Sequence, residues 1–81
     1  MQIKSFNSTY NLVQFYLYIS RDDKIVYDLE LYLDCPLNDF NEEDLILFFI
    51  IETDQQDYAF SDYEVSEYYE ENGLLKVICN K

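Results

Sequence analysis

Two stretches decide the fold: YNLVQFYLYIS at residues 10–20 and IVYDLELYLD at residues 25–34. Both alternate with the period of two that a half-buried strand requires. In the first stretch, one face carries Val13, Phe15, Leu17 and Ile19, and the other carries Leu12, Gln14, Tyr16 and Tyr18. In the second, the inward face carries Ile25, Tyr27, Leu29, Leu31 and Leu33, and the outward face carries Val26, Asp28, Glu30, Tyr32 and Asp34. Because the polar residues 21–24 separate the two runs, an antiparallel hairpin is predicted.

Downstream of this hairpin, the sequence predicts a loop and two more strands. Residues 35–41 form the loop, which Pro36 interrupts. Residues 45–53 are a continuous apolar run, typical of a central strand buried on both faces; a helix beginning at residues 42–44 is the alternative. After a polar turn at 54–57, residues 58–60 are expected to pair back as a short strand.

Residues 61–73, SDYEVSEYYEENG, fit two structures. Ser61 followed by Glu64 matches a capping box, and Asn72-Gly73 matches the end of a helix. The same Asn-Gly pair is also a strong hairpin signal. We interpret the segment as a short helix leading into a final strand at 74–79. The predicted fold is therefore α+β, a small antiparallel sheet of about four strands with one short helix, with an all-β meander as the alternative.

The charge balance is the most informative property of the composition. The chain has 81 residues, expected to form a single acidic binding domain over 1–81, with 17 acidic and five basic residues and a net charge of −12. Nine Tyr and six Phe argue against disorder. Such an acidic excess favours electrostatic steering toward a cationic partner. It argues against direct binding to nucleic acid or to anionic membranes, which need Lys and Arg.

Residues that catalysis or metal binding would need are scarce. The chain has no His, and Cys35 and Cys79 lie outside any Cys-x-x-Cys spacing, so no catalytic residue, metal site or cofactor is predicted. Surrounding carboxylates should raise the thiol pKa values and make both cysteines poor nucleophiles. The N-terminus lacks the apolar core of a signal peptide, and the longest apolar run, 45–51, is far too short for a membrane span. A cytoplasmic location is expected.

Acidic and tyrosine side chains are interleaved in the last third of the chain. Eight acids and no base lie between residues 52 and 71. Carboxylates at alternate strand positions are about 6.6–6.8 Å apart, close to the separation of about 6–7 Å between successive phosphates of a nucleic-acid strand. Tyrosine adds apolar area with a polar tip, as interface hot spots do. The candidate partner-binding residues are Asp57, Tyr58, Asp62, Tyr63, Glu64, Glu67, Tyr68, Glu70 and Glu71, together with Asp28, Glu30 and Asp34.

In size, charge and lack of catalytic residues, the chain is similar to small phage inhibitors of bacterial nucleases, including DNA mimics and anti-CRISPR proteins. The similarity is one of general character, and no motif matches a family residue by residue. It implies a non-enzymatic inhibitor that binds the basic nucleic-acid-binding surface of a nuclease or defence complex. An immunity or antitoxin protein that neutralises a cationic nuclease toxin is one alternative. A homodimeric structural module is another, since exposed strand edges and surplus aromatic residues favour self-association.

Overall fold

The computed structural model describes residues 1–21 and 25–81, and the side chains of residues 1–18 and 28–81. It is a single seven-stranded antiparallel sheet with the strand order β5-β4-β1-β2-β3-β7-β6. The strands are β1 (Gln2–Lys4), β2 (Thr9–Arg21), β3 (Ile25–Leu33), β4 (Phe48–Glu52), β5 (Asp57–Ser61), β6 (Glu64–Glu71) and β7 (Leu74–Asn80). Two short 3₁₀ turns, Leu37–Asp39 and Glu42–Leu45, connect β3 to β4.

β2 joins the two halves of the sheet. Its first residues pair with β1, and the stretch from Leu12 onward pairs with β3. A bulge at Val13 interrupts the second ladder, so that Leu12 lies opposite Leu33 and Gln14 lies opposite Tyr32. Because the bulge adds one residue to the strand, it exchanges the faces on which alternate side chains lie.

Side chains from both halves of the sheet form one hydrophobic core. β3 and β7 contribute Leu29, Leu31, Leu33, Leu75, Val77 and Cys79, and β1, β4 and β5 contribute Ile3, Phe49, Ile51 and Phe60. A single buried cluster with members from both halves requires the sheet to curve around it. We call the face toward this cluster the inner face and the opposite one the outer face.

The connection between β3 and β4 closes the core from one side. Phe40 and Leu45 are buried in it, and the Phe40 ring meets the Tyr68 ring edge-on at 5.1 Å. The Tyr10 hydroxyl donates to the Asp44 carboxylate at 2.5 Å and accepts from the backbone N–H of Asn41 at 3.2 Å. Burial, and then this bond to Asp44, raises the pKa of Tyr10. These bonds fix the second 3₁₀ turn to β2.

The predicted α+β fold, a sheet of about four strands with one short helix, is wrong because the sheet has seven strands, and the all-β alternative fits. The described ranges 1–21 and 25–81 contain no α-helix. No helix in these ranges is long and apolar enough to cross a bilayer. The predicted helix at 61–73 is instead β6 and its turn. Ser61 ends β5 in place of capping a helix, and Asp62 has a left-handed φ of 63°. Pairing with β7, and packing of Val65 and Tyr68 against the core, outweigh the capping signal.

Most of the strand predictions are confirmed. The β2–β3 hairpin forms, Leu29, Leu31 and Leu33 face the core, and β4 lies inside the sheet between β1 and β5. The predicted burial of residues 45–53 on both faces is wrong, because β4 spans only Phe48–Glu52 and just one of its faces, with Phe49 and Ile51, is fully buried. The predicted inward positions 25 and 27 lie outside the described side chains. The face assignment at the start of β2 is wrong: because of the bulge, Leu12 is buried with the core and does not share the face of Tyr16 and Tyr18, and Val13 is exposed. The helix alternative for residues 42–44 gives only a 3₁₀ turn that ends at Leu45.

We expect the Gly73→Ala variant to lower the free energy of unfolding by roughly 1 kcal/mol. Asn72 and Gly73 form the two-residue turn between β6 and β7, with φ of 53° and 81°, as a type I′ turn requires. An added Cβ would meet no atom within 4 Å, so the cost is backbone strain alone. Urea denaturation followed by circular dichroism measures it. The control is Glu70→Ala on the same strand, an exposed residue whose side chain has no hydrogen bond or ion pair within the described part of the chain, and an equal loss in both variants would contradict the strain argument.

Candidate binding surface

The strand order gathers acidic side chains from distant parts of the sequence on one face. β7 pairs with β3 on one side and β6 on the other, so their outer faces are continuous. Glu30, Ile78 and Glu67 form one cross-strand row, and Asp28, Asn80 and Glu64 form the next. Strand neighbours lie about 4.7–4.9 Å apart, which separates the acids of β3 and β6 by about 10 Å across each row.

Four tyrosines lie on the same outer face. Tyr16 lies opposite Glu30, Tyr18 opposite Asp28, and Tyr32 and Tyr69 flank Lys76 in the ladders on either side of β7. Together they define what we call the tyrosine–carboxylate face: Tyr16, Tyr18, Asp28, Glu30, Tyr32, Glu64, Glu67, Tyr69, Glu71 and Lys76. Tyr16, Tyr18 and Tyr69 are each about 40–50% exposed, which is unusual for side chains of this size and leaves their rings available for contact.

The tyrosine rings are ordered by contacts with one another. The Tyr16 and Tyr18 rings stack with centroids 6.3 Å apart and planes inclined by 29°, and the Tyr32 ring meets Tyr16 edge-on at 6.1 Å. Gln14 donates to the hydroxyl of Tyr16. Burial and the nearby Glu30 carboxylate raise the pKa of Tyr18, which keeps its hydroxyl protonated at neutral pH. The face therefore presents pre-arranged neutral rings beside ionisable acids.

Lys76 is the single cation among the described side chains of this face. Its ammonium nitrogen lies 5.6 Å from the centroid of the Tyr32 ring and 5.9 Å from that of Tyr69, and it forms an ion pair with Glu71 at 3.8 Å. A hydrogen bond with Tyr32, followed by the charge of Glu30, raises the pKa of Lys76. The surrounding tyrosines and acids thus hold this ammonium in its charged form.

A second bulge puts two of the glutamates on the same side. Glu64 and Glu67 are three residues apart, which in a regular strand would place them on opposite faces. The bulge between Val65 and Glu67 leaves Ser66 without a partner in the ladder, and its hydroxyl donates to the Ile78 carbonyl at 3.1 Å. Glu64, Glu67 and Glu71 therefore share the outer face as the predicted helix would have arranged them, but by a different geometry.

Five of the twelve predicted binding residues lie on the tyrosine–carboxylate face: Asp28, Glu30, Glu64, Glu67 and Glu71. Asp57 and Tyr58 belong to β5, at the far edge of the sheet, and Asp62 lies in the turn before β6. Glu70 is exposed but points to the inner side of β6, opposite Leu75, and Asp34 follows β3 beside Cys35. Neither of these last two joins the face.

Two predicted tyrosines pack inward. Tyr63 is only 5% exposed and belongs to the core, where its ring meets those of Phe49 and Phe60. Tyr68 is half-buried against Phe40. The tyrosines of the face that the candidate set lacks are Tyr16, Tyr18, Tyr32 and Tyr69. For the first three the signal was present, because the alternation already placed Tyr16 and Tyr18 together and Tyr32 outward.

A cleft of about 430 Å³ lies elsewhere, between the start of β2 and the loop after β3. It is lined by Asp34, Cys35 and Asp39 among others. Burial, followed by the charges of Asp39 and Asp34, raises the pKa of Cys35, and burial raises that of Cys79 to about 12. Both shifts disfavour the nucleophilic thiolate, and for Cys35 the carboxylates act as expected.

No group of three or more Cys, Asp and Glu side chains is placed to hold a metal ion within the part of the chain that the structure describes. Comparison with protein-family models, with curated proteins and with solved structures finds no match for this chain. The tyrosine–carboxylate face is the feature whose chemistry is most specific, and a functional proposal rests on it.

Proposed function

We propose that the protein is a non-enzymatic inhibitor that acts in the cytoplasm and binds the basic nucleic-acid-binding surface of a nuclease or defence complex. The observation that carries the proposal is the convergence of five carboxylates and four tyrosines, from three separate strands, on the tyrosine–carboxylate face. A surface of this kind offers charge to Lys and Arg, and offers rings where bases would otherwise stack.

The spacing of the acids supports this function. Asp28 and Glu30 are alternate residues of β3, about 6.6–6.8 Å apart along the strand. On β6, Glu67 and Glu64 form a second pair along the strand, about 10 Å from the pair on β3. This separation lies between the width of about 6 Å of the minor groove of DNA and that of about 12 Å of the major groove. Two parallel rows of negative charge are what a protein meets on nucleic acid. The same face would serve an immunity protein against a cationic nuclease toxin.

Binding that depends on this face should weaken steeply with salt and compete with nucleic acid. The protein is tagged and used to capture partners from host lysate in 50 mM salt. We expect a basic nuclease or defence protein whose dissociation constant rises at least about tenfold between 50 and 500 mM salt, since exposed charges are screened. Excess duplex DNA or guide RNA should displace it. A partner that is retained unchanged through both treatments would contradict the proposal.

A second candidate, a homodimeric module, is favoured by exposed apolar side chains in the other half of the sheet. Phe6 is 79% exposed and its ring lies 6.0 Å from that of Phe48, and Leu47, directly before β4, is 72% exposed. Exposed apolar side chains of this size favour association. Sedimentation of the purified protein at two concentrations a hundredfold apart distinguishes the candidates, because a monomer mass at both excludes the dimer.

A further inference from the structure

On β2 and β3, each exposed tyrosine has a carboxylate as its direct cross-strand neighbour. Tyr16 pairs with Glu30 and Tyr18 pairs with Asp28. Directly opposed residues have Cβ atoms about 4.5–5.5 Å apart, so ring and carboxylate can contact the same ligand group. The two pairs are adjacent along the strands, and the two tyrosine rings stack on each other, so a ligand reaches each ring on the side turned away from this contact.

A ring beside a carboxylate distinguishes between the two basic side chains. The arginine guanidinium is planar and weakly hydrated, so it can lie on an aromatic face while its N–H groups bind a carboxylate in a bidentate arrangement. The lysine ammonium is a compact, strongly hydrated charge that can approach a ring and a carboxylate, as Lys76 does, but it cannot lie flat on the ring or bind the carboxylate in a bidentate arrangement. Both gain from the negative potential of the face, but only arginine gains fully from the paired geometry.

The protein itself shows how this face holds a cation. Lys76 lies over the rings of Tyr32 and Tyr69 and pairs with Glu71, which combines aromatic and carboxylate contacts around one positive charge. Around Tyr32, Tyr69 and Glu71, the negative potential of the face is therefore already balanced by a cation of the same chain. The charge of Lys76 also acts on Glu30 and Tyr18, but among the described side chains no ion pair or cation–ring contact involves the Tyr16–Glu30 or Tyr18–Asp28 pair.

We propose that the Tyr16–Glu30 and Tyr18–Asp28 pairs each take an arginine guanidinium of the partner, so that the protein selects arginine-rich over lysine-rich basic surfaces. This inference rests on the proposed function and specifies the chemistry of its partner. Successive pairs lie about 6.6–6.8 Å apart along the strands. Two arginines separated by one residue on an extended segment have the same spacing and fit both pairs at once.

The test uses two synthetic peptides of equal length and charge, in which either arginine or lysine alternates with serine. Affinities for the intact protein are measured by fluorescence anisotropy in 50 mM salt. We expect the arginine peptide to bind about tenfold more tightly, from two cation–ring contacts and the bidentate bonds. The double variant Tyr16→Leu/Tyr18→Leu should lose this preference, and Tyr16→Phe/Tyr18→Phe should retain it.

Tyr58→Leu is the matched control, because Tyr58 is similarly exposed but lies on β5 at the far edge of the sheet. It should leave the preference intact. Circular dichroism melts establish that each variant is folded. Equal binding of both peptides, with steep salt dependence, would overturn the arginine selection while leaving the proposed function in place. If neither peptide binds, the arginine selection and the proposed function are both overturned. The experiment therefore distinguishes failure of the selection alone from failure of the function.

Discussion

Replacing Glu30, Glu64 and Glu67 together by lysine is expected to slow association with the basic partner by about 100-fold. All three lie on the tyrosine–carboxylate face. Glu30 is on β3 and the other two are on β6, on either side of Ile78 and Asn80 of β7. Complementary charge accelerates encounter by roughly 10–1000-fold, and reversal replaces attraction by repulsion at the point of contact. Stopped-flow or surface plasmon resonance measurements at low salt give the rate constant.

The matched control reverses three exposed acids elsewhere: Glu43, Asp54 and Asp57. Each replacement changes the charge by two, so both triple variants carry −6 in place of −12. If steering came from net charge alone, the two variants would slow association equally, and the assignment of the site to this face would be wrong. We expect the control to slow association by no more than a few-fold, since distant exposed charges are screened.

Phe49→Ala is expected to destabilise the fold by about 3–5 kcal/mol. Phe49 is fully buried, stacks on Phe60 with centroids 5.2 Å apart, and meets the Tyr63 ring at 6.5 Å. A chain of this length has a total stability of roughly 4–12 kcal/mol, so the loss is a large part of the whole. Urea unfolding followed by circular dichroism should show a much lower midpoint or no folded baseline.

The neighbouring residue provides the control. Phe48 is half-buried on the outer face of β4, where its contact is the exposed Phe6 ring. Phe48→Ala should cost about 1 kcal/mol, because little apolar surface is lost and no closed cavity forms. Similar losses for the two variants would contradict the division of β4 into a core side and an outer side.

The extent to which the fold could be predicted depends on the length of each periodic run. The alternation in β2 and β3 extends over about ten residues, which is enough to define a hairpin and the core side of β3. β1 has three residues, too few to show any period, although β4 and β5 are attached to β2 only through it. The segment 61–73 carries both a capping box and an Asn-Gly turn. Only its pairing with β7 decides between them.

The candidate site was predictable in its parts but not in its assembly. The acids of β3 and of β6 were each identified from local spacing, yet nothing in the sequence states that β7 lies between these strands. That order is a property of long-range pairing. Buried tyrosines such as Tyr63 could not be separated from exposed ones by composition, because Tyr69 sits in an equally acidic stretch and is exposed.

The bulge at Val13 has a consequence for how the sequence can vary. The alternation of inward and outward side chains changes phase at the bulge. Leu12, before it, and Phe15, after it, therefore both face the core, while Tyr16 and Tyr18 face outward. Deleting one residue here would shift the register of the rest of the strand by one. Tyr16 and Tyr18 would then face the core, and Phe15 and Leu17 would face outward. The number of residues between Leu12 and Phe15 is therefore fixed by the architecture, whichever side chains stand there.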